Sequence, residues 1–209
     1  MDIRPMLVTR PGTLAEVQRL VRTEGEKLRY CLAGFLDDFY ADRDPVGRRA
    51  RIADDPGLVQ AGDGRCAGRE VPIPGGIVAD LRLDVLMGAI GEHLSTRWRL
   101  GPAPAWTDDP ARFLSRPWFL GPERFKPFLL VESPAAYRRR FIFTEAEPLR
   151  RIGMPRDGRW WAYETMRTGL VPQPGEIEAP AEPPPAVGLR SMQAEHAVDR
   201  PDLGRLDQA

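Results

Sequence analysis

The stretch AWTDDPARFLSRPWFLGPERFKPFLLVESPAAYRRRFIF, residues 105–143, constrains the fold more than any other part of the chain. Pro110, Pro117, Pro122, Pro127 and Pro134 divide it into short pieces. Proline removes a backbone donor and its ring clashes with the preceding turn, so no long helix or central strand can run through this segment. Helices as short as those left between the prolines are not stable alone in water. The same segment carries Trp106, Phe113, Trp118, Phe119, Phe125, Phe128, Phe141 and Phe143. Such rings could stack nucleic-acid bases, but that role favours aromatics interleaved with basic residues on strands. Set among prolines and helix caps, they are expected to be core, held by packing on longer elements.

Two longer elements are present. Thr13 and Glu16 form a capping box, and apolar residues follow at Leu14, Val17, Leu20 and Val21, then at Leu28, Cys31, Leu32, Phe35, Leu36 and Phe39. The spacing is that of an amphipathic helix with a weak point at Gly25. A second long amphipathic helix is expected over IVADLRLDVLMGAIGEHLSTRW, residues 77–98, on Val78, Leu81, Val85, Leu86, Ala89, Ile90 and Leu94. Between them, Asp44 and Pro45 begin a short helix, and residues 57–76, with six glycines, read as a surface loop. FLLVE (128–132) and FIFT (141–144) are the β-like runs, and either also suits a buried helix end. Ser133–Pro134 opens a helix through the arginines, and Thr144 with Glu147 forms a further capping box.

The fold class that follows is mainly α: one helical domain over 13–168, two long amphipathic helices wrapped by short capped pieces. Residues 1–12 are expected to be frayed. Residues 169–209, rich in Pro, Glu and Ala, are expected to form a disordered tail.

Chemistry is sparsely indicated. The two histidines are His93, on the second long helix, and His196, in the tail. Cys31 and Cys66 make neither a disulfide framework nor a metal site. No metal-ligand spacing is present. GDGRCAG (62–68) lacks the lysine of a phosphate-binding loop, and no GxSxG nucleophile turn occurs. No catalytic residue, cofactor or metal is therefore expected. The N-terminus carries no signal-peptide pattern and no apolar run approaches a membrane span, so a cytoplasmic protein with no membrane role is expected.

Thirty basic residues balance thirty acidic ones, giving zero net charge, and nucleic-acid grips usually show a basic excess. Two local arginine clusters stand out against that balance: Arg138, Arg139 and Arg140, and Arg48, Arg49 and Arg51. They are the candidate partner-binding residues, since guanidinium forks suit phosphates and carboxylates. The plainer reading pairs one arginine with Glu132 or Glu145 and leaves the others in water. Were the two clusters to join into one patch, RNA or protein binding would gain weight.

The segments LAGFLDDFY, LDVLMGAIGEHL, PAWTDDPARFLSRPWF and LLVESPAAYRRRFIF, in this order, resemble a family of uncharacterised bacterial proteins. PAWT, RFL, PWF and ESPAAYRRR carry the likeness, which covers about residues 26–152. Some members follow a helix-turn-helix domain, for which residues before Thr13 leave no room here. Others resemble partners of nucleotidyltransferase-type toxins. The resemblance implies a non-enzymatic protein-interaction module, antitoxin-like, whose partner is the neighbouring gene product. The arginines and the Pro-rich tail would make the contact. A nucleic-acid-binding regulator acting through the arginine clusters is the second expectation. An enzyme would require Arg138–Arg140, Glu132 and either His93 or Asp84 to line one polar pocket.

Overall fold

The structure, a computed structural model, describes residues 10–58, 70–73 and 76–179. The described chain is mainly helical, as its apolar periodicity requires. Helix α1, Leu14–Arg19, starts at Thr13, whose hydroxyl accepts the Glu16 N–H at 3.1 Å, while Glu16 reaches back to the Gly12 N–H at 2.8 Å. It continues as a wider π turn over Leu20–Glu24 and stops at Gly25, which takes a left-handed φ of 71°. The apolar stripe resumes in α2, Leu28–Ala41. Gly25 therefore divides the first long stripe into two helices that pack against each other. Helix α3, Pro45–Ala53, begins with the Asp44 carboxylate accepting the Val46 and Gly47 N–H groups at 3.0 and 3.2 Å.

Part of the expected loop at 57–76 is strand, while 59–69 and 74–75 lie outside the described residues. Strands β1, Glu70–Ile73, and β2, Gly76–Ala79, form an antiparallel hairpin in which Glu70 faces Ala79. Val71 and Ile73 on one strand and Ile77 and Val78 on the other are β-branched, a pairing signal hidden by the glycine content of the segment. Helix α4, Asp80–Arg97, follows directly.

Helix α4 is the axis of the domain. Leu83, Met87, Ile90 and Leu94 are fully buried on it, each worth about 1.5–3 kcal/mol of apolar burial. Gly88 and Gly91, one turn apart, leave grooves for what wraps over the helix. A methyl at Gly91 would lie 2.6 Å from Trp106 Cη2, and one at Gly88 3.0 Å from Arg140 Nε. Trp106 is fixed there by its Nε1–H, which donates to Ile52 O at 3.2 Å.

The wrapping segment then runs through α5, Lys126–Glu132, and α6, Ala135–Arg138. FLLVE is thus helix. FIFT enters a strand: β3, Trp118–Phe119, pairs in parallel with β4, Ile142–Phe143. Helix α6 is shorter than its sequence suggests, because the chain turns at Phe141 with a φ of 58°. Ser133 does not cap it. Its hydroxyl lies 2.6 Å from Leu129 O and 2.9 Å from Thr144 O, and accepts the Thr144 N–H at 2.7 Å. No helix follows Thr144, because Glu147 is drawn inward to Arg97 rather than back to a helix start. Helix α7, Gly158–Thr168, ends the domain. Asp157 caps it by accepting the Trp160 N–H at 2.9 Å, and Gly169, φ 76°, closes it.

Beyond α7, residues 170–179 are irregular and lie back on the domain. Arg156 and Glu178 exchange bonds of 3.0 Å, Glu178 N–H to Arg156 O and Arg156 N–H to Glu178 Oε1. The remainder of the expected tail, 180–209 with His196, lies outside the described residues, as do 1–9 and Cys66.

Candidate functional site

Five of the six candidate arginines serve the fold itself. Arg140 is completely buried; its guanidinium donates to Thr107 O at 2.6 Å, to Ala136 O at 2.8 Å and to the Glu92 carboxylate. Arg139 donates to the same Glu92 oxygen at 2.6 Å and to Asp108. Phe113 lies beneath both guanidiniums, at 5.3 and 4.9 Å. The partners are therefore Glu92 and Asp108, on distant parts of the chain, and not the neighbouring Glu132 and Glu145.

Arg48 is buried where α2 ends. Its Nε donates to Phe39 O at 3.1 Å and Asp42 O at 2.6 Å, and Nη2 to Tyr40 O at 3.3 Å. It satisfies carbonyls at a helix end that would otherwise lack donors and places a cation at the negative end of the helix dipole. Burial lowers its pKa against the pull of Asp42. Arg49 joins α3 to the turn after α4, through Ser95 Oγ at 3.0 Å and Pro102 O. Arg51 pairs with Asp42 at 3.2 Å and donates to Gly12 O at 3.0 Å. Each cluster is bound to its own set of internal acceptors, so the two do not make one free basic patch. Arg138 differs: its side chain is exposed and has no partner among the described residues.

The residues an enzymatic reading would need are likewise dispersed. His93 is buried, edge-on to Tyr137 at 5.5 Å. Burial, with Arg159 and Arg97 nearby, lowers its pKa to about 3, so it is neutral through the physiological range. Asp84 is buried against the Gln18 amide, 2.9 Å away. No cluster of three metal-ligating side chains occurs among the described residues.

A buried ionic network links α4 to α7. Arg97 holds Asp157 with two bonds of 2.6 and 2.8 Å and Glu147 at 3.0 Å, and Arg159 holds the same Glu147 oxygen at 3.0 Å. The two carboxylates diverge. Burial pushes Glu147 up despite both arginines; Asp157, less deeply buried, is drawn below its ordinary value by Arg97 and the Trp160 N–H. Pairs this close and dry fix geometry, here the angle at which α7 meets the end of α4.

The aromatic segment divides in a way its sequence does not show. Trp106 and Trp118 are buried, as expected of core. Phe125, Phe128 and Phe141 are not. Helix α5 turns Leu129 inward, against Gly121, and shows Phe128 (61% exposed), Val131 (78%) and Leu130 (47%) outward. The Ser133 hydroxyl ties the end of this helix to Thr144, so the apolar face is carried on an anchored element. Arg124, stacked 4.8 Å over Phe125, and Lys126, paired with Glu123 at 2.6 Å, adjoin it in the chain. The missed signal was positional: with Leu129 inward, the helical period puts 131 on the far side and 128 and 130 on the two flanks.

No family model, no curated protein and no solved structure matches the chain. No described helix is long and apolar enough to cross a membrane.

Proposed function

We propose that this protein is a protein-interaction module and that α5 presents its contact face. One observation carries the reading: Phe128, Leu130 and Val131 stand exposed together on a helix whose inward side is anchored by Leu129 and Ser133. Single exposed apolar residues need no explanation, but a contiguous group on a fixed element is the feature of a surface that another molecule covers. Arg124 and Lys126 precede this group in the chain, between Glu123 and Glu132, so charges of both signs flank it. The complementary partner has an apolar groove with a polar edge, apolar burial supplying the affinity.

The resemblance of the PAWT, PWF and ESPAAYRRR segments supports an antitoxin-like form of this reading, with the neighbouring gene product as partner. Co-expression of the two proteins tests it. The expected result is a co-purifying complex that the double variant F128D/V131D weakens about 100-fold or more, the loss of two buried apolar contacts. Because both side chains are already in water, the variant's own unfolding midpoint should match that of wild type. A wild-type protein that forms no complex with the neighbouring product, or a double variant that binds it equally well, overturns the reading.

A further inference from the structure

A separate cleft of about 880 Å³ opens where the C-terminal ends of α2 and α4 meet the segment leading into α7, with residues 177–179 as its remaining wall. None of its lining residues belongs to α5. The volume is within the range of small-molecule sites. Its lining carries Arg43, Arg48, Arg97, Arg99 and Arg159 against the carboxylates of Asp157 and Glu178. Arg97 and Arg159 are neutralised by Asp157 and by Glu147 beneath them. That leaves three guanidiniums with no carboxylate bonded to them.

Arg43 and Arg99 make no internal pair, and Arg48 uses only part of its guanidinium on the carbonyls at the end of α2. Arg43 and Arg99 are exposed, and their side chains have no partner among the described residues. Arg99 stands just past the end of α4 with a left-handed φ of 53°, where Leu100 N–H closes back on Ser95 O at 2.9 Å. Glycine is the usual occupant of this position, and a side chain there costs about 1 kcal/mol. Arg48 is 4% exposed, and its bonds to three carbonyls leave Nη1 without a partner among the described residues. Opposite them, Gly158 begins α7 with open space where a side chain would stand, while the first turn of that helix is capped by the Asp157 carboxylate.

We propose that this cleft binds a phosphorylated small molecule, up to about the size of a nucleotide, through Arg43, Arg48 and Arg99. Guanidiniums arriving from the α2–α3 connection, from α3 and from the end of α4 suit a phosphoryl group, whose oxygens point in several directions. A planar carboxylate is satisfied by a single fork. The site is distinct from the α5 face, so either proposal can fail without the other.

Calorimetric titration of the full-length protein with inorganic phosphate, pyrophosphate, ATP and citrate, at matched ionic strength, is the test. Pyrophosphate or ATP is expected to bind and citrate to bind at least about tenfold more weakly. The double variant R43Q/R99Q is expected to lose about tenfold or more in affinity while unfolding, without ligand, at the wild-type temperature. R138Q should bind as wild type does. Four results overturn the proposal: no binding of pyrophosphate or ATP to the wild type at about 10 mM; equal binding by R43Q/R99Q; citrate binding as tightly as pyrophosphate; or binding of a single-stranded oligonucleotide with none of the small phosphates.

Discussion

Gly91 shows how much a single residue decides in this fold. On an isolated helix, alanine would be better than glycine by about 0.5–1 kcal/mol. Here a methyl at position 91 would stand 2.6 and 2.8 Å from the Trp106 ring. The ring cannot withdraw freely, because its Nε1–H is bonded to Ile52 O and the Arg112 guanidinium lies 4.8 Å over it. Gly91→Ala is therefore expected to destabilise the protein by about 1–3 kcal/mol, read from the urea midpoint. A gain in stability would mean that Trp106 does not hold this position. The same residue scale explains what the arginine pattern hid. Arg139 and Arg140 have nearby acids in the chain, yet they find Glu92 and Asp108, because α6 packs across α4. Local spacing can show that arginines cluster, but their partners depend on which helices meet.

At the scale of elements, the signals that were legible are the ones satisfied within a few residues. Thr13 and Asp44 cap helices as their sequence context says, and the apolar stripe of α2 is where periodicity puts it; the second stripe differs, since Val78 lies in β2 and α4 is buried at every position from 83 to 91. Ser133 and Glu147 have the same local grammar and do otherwise, since a distant partner competes for each: the Thr144 backbone for Ser133 and the Arg97 guanidinium for Glu147. The junction of α4 and α7 is built on such a tertiary contact. Asp157→Asn preserves the cap, because asparagine serves that position equally well, but removes the charge facing buried Arg97. At neutral pH the variant is expected to lose about 1.5–3 kcal/mol, the cost of a charge-assisted contact whose arginine keeps its Glu147 partner. The sign of the pH dependence follows from the depressed pKa of Asp157. Its contribution is complete above the unfolded value, near about 3.9, and is lost as pH falls through the lower folded value. The gap between wild type and variant in thermal melts should therefore hold from neutral pH to about pH 4 and narrow below it. A gap that does not change with acid would show that Asp157 does not carry the charge of this pair.

For the molecule as a whole, the prolines of 105–143 force a wrapped architecture, and the two tryptophans take the buried positions that wrapping provides. What composition could not reveal is that the wrapping is incomplete as a core. Leu129 and Ser133 anchor α5, and the remaining apolar side chains of that helix face outward. Whether Phe128 is core or surface depends on the angle at which a seven-residue helix is pinned, a quantity with no local sequence signature. The central claim is that this outward face is where a protein partner sits. Amide hydrogen exchange across the full chain, with and without the neighbouring gene product, tests it most directly. Slowed exchange concentrated in 125–132 on complex formation is the expected result. A complex that protects other segments and leaves 125–132 exchanging at the free rate would contradict it.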